Sequence, residues 1–277
     1  MNKFIYQDHI VRKRFGQNFL NDDFVIKKII STINPQEGQL LIEIGPGLGA
    51  LTQHICKYTN KLIVIELDSN LAEKLKVNPI FGSKLSVFQK DVMKFDFKNL
   101  SFKNNQLLRI FGNLPYHIST ILIFNLFKNI GLIKDMHFTL QKEVVDRMVV
   151  GPGSKIYSRL SVMTQYHCKV IPILEIYPKS FIPIPKVNSI FVRLIPYDKL
   201  PYPVIDVNLL NYITTIAFSQ RRKKLKNSLS TVIPLNTLKK LSVDPELRAE
   251  NITVSQYCSL ANWLSKSLKQ TQEQKYN

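Results

Sequence analysis

Cysteine is scarce and scattered in this chain. The three present, Cys56, Cys168 and Cys258, form no C-x-x-C pair, which argues against a zinc ribbon or a disulfide framework and points to a reducing compartment. Long apolar runs are missing too. No stretch of about 18 apolar residues occurs, so no segment reads as a membrane-spanning helix. The N-terminal MNKFIYQDHIVRKRFGQNFL lacks an apolar core followed by a small-residue cleavage site and does not read as a secretory signal. Acidic residues are in deficit. Only 20 Asp and Glu face 38 Lys and Arg, a net charge of +18. A surplus of that size points to a polyanionic partner, either nucleic acid or an anionic membrane surface. No internal repeat is visible.

A chain of 277 residues has room for a sizeable core, in one large domain with a small one or in two of middling size. The segment FVIKKIISTI (Phe24 to Ile33) has apolar residues at helical spacing, and Asn34-Pro35 ends it. Five residues of strand, Leu40 to Ile44, then run into glycines and a helical stretch, ALTQHICKY. The apolar strand KLIVIELD precedes a helix-like SNLAEKLKV, and further strands end at Asp91 and Asn113. ISTILIFNLF reads as a buried helix, with a fifth strand within DMHFTLQKE. Unbroken apolar strands alternating with helices argue for a parallel sheet covered on both faces. Val170 to Ile176 and Ile190 to Ile195 read as a late antiparallel pair around a Pro-rich loop. From about Leu200 the chain turns helical, with LPYPV as a linker, and the polar QTQEQKYN at the end reads as frayed. The expected domains are therefore 1–200 and 201–277.

In an open parallel sheet, ligands lie at the carboxyl ends of the strands. Those ends carry a glycine loop (Gly45-Pro46-Gly47-Leu48-Gly49), two acidic stations (Glu66-Leu67-Asp68 and Asp91-Val92) and a polar-aromatic cluster (Asn113-Leu114-Pro115-Tyr116). The glycines let a ligand approach the backbone in front of a helix N-terminus. Glu66 follows the first glycine by about 20 residues, the position of an acid that accepts the hydroxyls of a ribose. Both features also fit NAD, and GPGLGA satisfies the G-x-G-x-x-A variant, so a dehydrogenase stays open at this point. Asp91 can hold an adenine amino group, which suits S-adenosylmethionine, although an acid there is also a natural helix cap.

The stretch FGNLPY adds a reason of its own. A turn uses Asn and Pro but leaves the aromatic idle. An exocyclic amine is a poor nucleophile while its lone pair is spread into the ring. The Asn113 side-chain carbonyl and the Leu114 backbone carbonyl can accept its hydrogens and free that lone pair. Pro115 stiffens the turn and adds no competing donor. Tyr116 offers a face on which a base can stack.

These motifs together resemble one family, the small-subunit ribosomal RNA adenine N6,N6-dimethyltransferases. The resemblance rests on RKRFGQNFL, EIGPGLGALT, VIELD, FGNLPY, LQKEVVDRMV, SRLSVMTQY, FIPIPKVNS, QRRKKLKNSL and RAENIT, co-linear over nearly the whole chain. It implies an α/β, Rossmann-like class I methyltransferase domain, a mostly parallel seven-stranded sheet with helices on both faces, plus a small C-terminal helical domain. It implies S-adenosylmethionine as methyl donor without a metal. The implied substrate is 16S rRNA in the small ribosomal subunit, where two adjacent adenosines in the 3′-terminal hairpin loop are each methylated twice. A role in subunit biogenesis is implied as well; the expected location is cytoplasmic, and a monomer is the default, since the sequence does not fix the oligomeric state.

Residue by residue, the resemblance places Gln17, Asn18 and Leu20 over the cofactor and Gly45 and Gly47 beneath its methionine part. Glu66 with Leu67 would meet the ribose, and Asp91 with Val92 the adenine. Asn113 would bridge cofactor and target. Tyr116 would stack on one face of the target base and Phe181 would cover the other. Arg12, Lys13 and Arg14, and the run Arg221, Arg222, Lys223, Lys224 and Lys226, would contact RNA. Two positions depart from the family pattern, His117 where Asn is usual and Asn188 where Asp is usual. Related 23S rRNA dimethylases tend to read N-I-P-Y and lack the R-R-K-x-L-x-N-S-L segment, so Leu114 and Gln220 to Leu229 favour the small-subunit branch. The remaining alternative is an RNA-binding assembly factor that has lost its chemistry.

Overall fold

The computed structural model describes residues 4–12 and 15–276. Seven strands form one sheet: β1 (Leu40–Ile44), β2 (Leu62–Glu66), β3 (Leu85–Gln89), β4 (Leu108–Asn113), β5 (Ile133–Gln141), β6 (Cys168–Ile176) and β7 (Ser189–Pro196). Their order is β3-β2-β1-β4-β5-β7-β6. The pairs β1/β2, β1/β4, β2/β3 and β4/β5 are parallel, and β7 runs antiparallel to β5. Every residue of β1 and β2 is buried, as strands covered on both faces require. The edge strand β6 contains Pro172, whose missing N–H an edge tolerates.

Helix α1 (Asp23–Ile33) begins at Asp22, whose carboxylate accepts from the N–H groups of Phe24 and Val25. Its buried residues, Val25, Ile26, Ile29, Ile30 and Ile33, share one face. Each contributes about 1.5–3 kcal/mol on burial. That face packs into a core with Leu41, Val64, Phe111 and Phe191. Alternate residues such as Ile42, Ile65, Ile110 and Met136 are buried as well and face the opposite side of the sheet, where α5 (Tyr116–Phe127) packs on β5. Arg109 ties the far end of α1 to the sheet. It donates to the carbonyls of Ile33 and Asn34 at 2.7 and 3.3 Å and to both oxygens of Asp135 at 2.9 and 3.0 Å. Burial alone would raise the Asp135 carboxyl; the Arg109 hydrogen bonds and the charges of His137, Arg109 and Arg193 hold it below its ordinary value.

Three elements differ from the sequence reading. The helix after the glycine loop, α2, covers only Thr52–Ile55. Its bonds change from Cys56 N–H to Thr52 O, four residues back, to Lys57 and Tyr58 N–H bonding three residues back, so the turn tightens and stops. The C-terminal stretch is broken as well: α8 (Val207–Ser219) ends at Gln220, and α9 (Leu225–Ser228) starts after Lys224, whose extended backbone forms a bridge with Arg248. The basic run thus lies in the connection between two helices. Finally, α11 (Val254–Tyr276) continues through the polar C-terminal residues, which contain no Gly or Pro to stop it.

The chain divides into two compact units, 1–145 with 171–196, and 146–170 with 197–277. A single cut at residue 200 misses the middle segment, because α7 (Arg159–His167) packs against α8 and α11. Tyr157, Phe218 and Tyr257 form the aromatic centre of this second unit, and the Tyr257 hydroxyl donates to Ala249 O at 2.8 Å. Among the described residues, no helix is long and apolar enough to cross a membrane, and no group of three or more His, Cys, Asp or Glu could hold a metal ion.

Candidate active site

The carboxyl ends of β1 to β4 open on a cavity of about 490 Å³ in the first unit, within the range of small-molecule sites. After β1 the chain turns through Gly45 and Gly47, with φ of +65° and +59°, a left-handed backbone that favours glycine. A Cβ on Gly47 would lie 3.0 Å from the Phe19 ring, so the N-terminal segment sits directly on this loop. Gly112 in β4 serves a different purpose. A Cβ there would lie 2.3 Å from Ile44 O, so its bare α-carbon lets β4 close on β1 and sets the depth of Asn113.

Glu66 is buried at the end of β2. One oxygen accepts from Gly47 N–H at 3.1 Å and the other from Asp68 N–H at 2.9 Å. Burial raises its carboxyl above the ordinary value, while those N–H groups pull it down. Leu67 beside it is exposed and lines the cavity. Asp91 accepts from Met93 N–H through one oxygen at 2.9 Å and so caps the turn that follows β3, and it still lines the cavity beside Val92.

Asn113 and Asn18 meet across the cavity, the Asn113 side-chain amide donating to the Asn18 carbonyl at 2.8 Å. Leu114 and Tyr116 also line the cavity. The Tyr116 hydroxyl shares a hydrogen bond with Ser189 Oγ at 2.7 Å, which fixes the ring and joins FGNLPY to the end of FIPIPKVNS. Burial raises the Tyr116 phenol above its usual range. Gln17, Asn18 and Leu20 complete the wall from the N-terminal side.

Not every candidate is brought here. Phe181 is wholly buried. It pairs with Leu20 in a short antiparallel ladder and belongs to the apolar core. It is not among the residues that line the cavity. Arg12 lies beside the cavity and pairs with Asp68 at 3.2 Å. Lys13 and Arg14 lie outside the described residues. Arg221, Arg222, Lys223 and Lys224 belong to the second unit. There Arg221 pairs with Glu250 and bonds Lys155 O, and Lys224 and Lys226 share Glu246. The Lys224 and Lys226 hydrogen bonds hold the Glu246 carboxyl down at about 2.

Both departures from the family pattern have local accounts. A Cβ on Gly16 would lie 2.7 Å from His117 Nδ1, so the larger ring at 117 is met by a glycine. Asn188 donates to Glu175 at 2.8 Å, where an Asp would repel it. Two acids, Glu43 and Asp68, have partners that the sequence reading did not assign. Glu43 is fully buried in β1 and accepts from the Thr52 hydroxyl at 2.6 Å; its signal was a lone acid in the apolar run LLIEI. Burial, with the Glu66 charge adding to it, raises its carboxyl to about 8 against the Thr52 hydrogen bond. Asp68 gathers partners from the N-terminal segment, which only the folded chain reveals.

The strand order, the glycine loop after β1 and the acids after β2 and β3 define a class I, S-adenosylmethionine-dependent methyltransferase fold. The family model for ribosomal RNA adenine dimethylase matches residues 8–266. The ribosomal RNA small subunit methyltransferase A of Erwinia tasmaniensis is 56% identical over 265 residues, 96% of this chain and 97% of that one. The protein of the same name from Klebsiella pneumoniae strain 342 is 56% identical over 268 residues, 97% of this chain and 98% of that one. Among solved structures, a dimethyladenosine transferase from Plasmodium falciparum superposes with a TM-score of 0.75 at 26% identity, over 90% of this chain and 98% of that one. The 23S rRNA methyltransferase ErmE, at 20% identity and a TM-score of 0.68 over 90% of this chain and all of that one, shares the fold. This chain belongs to the ribosomal RNA adenine dimethylase family. Membership sets aside the dehydrogenase reading of the glycine loop.

Proposed function

We propose that this protein dimethylates N6 of two adjacent adenosines in the 3′-terminal hairpin loop of 16S rRNA within the small ribosomal subunit, and that it works as a cytoplasmic monomer in subunit maturation. The observation that carries the proposal is the Asn113–Asn18 hydrogen bond. A backbone carbonyl only accepts, so the Asn113 amide nitrogen must face Asn18. Its side-chain oxygen is then the end left for the amino group of a target base.

The cavity suits S-adenosylmethionine. Gly45 and Gly47 allow close approach to the backbone, Glu66 would accept the ribose hydroxyls, and Asp91 the adenine amino group through the oxygen not used in capping. Gln17, Asn18 and Leu20 would cover the ligand, with Leu67 and Val92 against it. When bound, S-adenosylmethionine supplies a methyl group already activated by its positive sulfur.

The chain supplies position and polarisation. Asn113 and the Leu114 carbonyl accept the amino hydrogens and localise the nitrogen lone pair. Tyr116, its hydroxyl held by Ser189, presents its ring to the base. The target adenosine leaves its stack to reach the pocket, at a cost of a few kcal/mol that is smaller in a loop. The N6 proton leaves to water. RNA affinity falls to the cations of the connection between α8 and α9, above all Arg222 and Lys223, which are exposed and have no ion pair among the described residues.

The test is incubation with labelled S-adenosylmethionine and small subunits lacking the modification, followed by nuclease digestion. Label in N6,N6-dimethyladenosine is the expected result. Subunits that bind the protein and gain no label would support a non-catalytic assembly factor instead.

A further inference from the structure

One buried carboxylate fastens the N-terminal segment to the end of β2. Asp68 is 1% exposed. Its Oδ2 accepts from Gln17 Nε2 at 3.0 Å, and His9 Nε2 stands 3.9 Å away. Its Oδ1 takes the Arg12 guanidinium at 3.2 Å and also accepts from Asn70 N–H at 3.0 Å, capping α3 (Ser69–Val77). The orientation of Gln17 is set by its neighbours. Its Oε1 faces Arg12 N–H at 2.8 Å and His9 Nε2 at 3.2 Å. Turning the amide over would set two donors together and oppose two acceptors at Asp68. With Oε1 as acceptor, His9 carries its hydrogen on Nε2.

A second tie holds the same segment. Ile5–Tyr6 and His9–Ile10 form a small hairpin, and Lys74 of α3 donates to the carbonyls of its turn, Gln7 and Asp8, at 3.1 and 2.9 Å. Tyr6 stacks on Phe19, which rests against Gly47. Glu66 and Asp68 occupy alternate positions at one strand end, joined by the Asp68 N–H bond to Glu66. The acid assigned to the ribose and the acid that anchors the cover are therefore carried by one short piece of backbone.

We propose that Asp68 is the anchor of the N-terminal cover, and that Arg12 and His9 are positioning residues acting through Asp68 and Gln17 to hold that cover closed over bound cofactor. This rests on the reading of the cavity as the S-adenosylmethionine site. It moves Arg12 from RNA contact to cofactor retention. The cover must open for cofactor exchange, and opening breaks the Asp68 set while leaving Glu66 on its Gly47 and Asp68 N–H bonds. A variant that lowers the closed population weakens apparent affinity by the same factor.

Substitution can separate this role from simple support. Asn caps helices as well as Asp, so Asp68→Asn keeps the start of α3 and removes the charge that holds Arg12 and orients Gln17. Arg12→Met removes the partner without touching the cap. Arg12→Lys restores the charge. The measurements are calorimetric titration with S-adenosylhomocysteine, amide hydrogen exchange of residues 4–12 without cofactor, and subunit binding against salt. Asp68→Asn and Arg12→Met are expected to raise the dissociation constant about tenfold and to speed exchange at the Arg12 amide, since a charge-assisted contact is lost. Arg12→Lys recovers most of the affinity, and Arg12→Met leaves the salt slope of subunit binding unchanged. Unchanged affinity and exchange in both variants would overturn the proposal. A reduced salt slope with unaltered cofactor affinity in Arg12→Met would also overturn it and return Arg12 to the RNA. Failure of the unsubstituted protein to bind the probe would instead overturn the cofactor reading on which the proposal rests.

Discussion

Asn113, at the end of β4, donates its side-chain amide to the backbone carbonyl of Asn18, 95 positions earlier and 2.8 Å away. One hydrogen bond thus joins the residue assigned to the target amine and the segment assigned to the cofactor. Asn113→Ala loses both the tie and the acceptor. It should lower kcat on small subunits about 100- to 1000-fold, the usual cost of removing one polarising group. Asn113→Asp keeps acceptors but sets a carboxylate against the Asn18 carbonyl, so it should also weaken S-adenosylhomocysteine binding. Single-turnover rates and calorimetry on the two variants check this.

Gly112 sets the depth at which Asn113 sits. A methyl group there would lie 2.3 Å from Ile44 O, in the backbone of the neighbouring strand. Gly112→Ala is expected to destabilise the fold by about 3 kcal/mol or more, because backbone in a parallel sheet cannot give way as a side chain can. Urea denaturation measures it.

Glu43 gives a pH dependence. Its carboxyl rises from an ordinary 4.5 to about 8 in the folded protein. The folded chain therefore holds a proton that the unfolded chain has released between those values. Stability from this group is full below 4.5 and is lost as the pH climbs to 8. The upper bound is on the order of 5 kcal/mol. Glu43→Gln cannot ionise and should flatten that part of the profile, so its advantage over the unsubstituted protein grows from acid to neutral pH. Melting temperatures across the range read the difference.

In the basic connection after α8, the ion pairs of Arg221, Lys224 and Lys226 leave Arg222 and Lys223 as the exposed cations without such a partner among the described residues. Replacing Arg222 and Lys223 with Ala should weaken subunit binding and reduce its log–log salt slope by about 1.4–1.8. Affinity for S-adenosylhomocysteine should not change. Filter binding between low and physiological salt tests it.

The sheet was legible because its strands are unbroken apolar runs closed by polar residues, and the elements from Leu40–Ile44 to Ser69–Val77 follow that pattern closely. Most of the cavity was legible for the same reason, since its residues stand at strand ends. The burial of Phe181 was not legible, because it depends on pairing with Leu20, a partner far away in sequence. Asp68 carried no message in VIELD beyond a second acid; its role appears only when Arg12, Gln17 and His9 fold back onto it. The break between α8 and α9 was hidden by a helical composition on both sides, and it needed the bridge between Lys224 and Arg248 to become visible.

The most direct test is to express the protein, and separately its Asn113→Ala variant, in a bacterium lacking this rRNA modification. Primer extension then reads the 3′-terminal hairpin of its 16S rRNA. Strong stops restored at two neighbouring adenosines by the unsubstituted protein, and absent with Asn113→Ala, are the predicted result. No stops with the unsubstituted protein, or equal stops with the variant, would contradict the account.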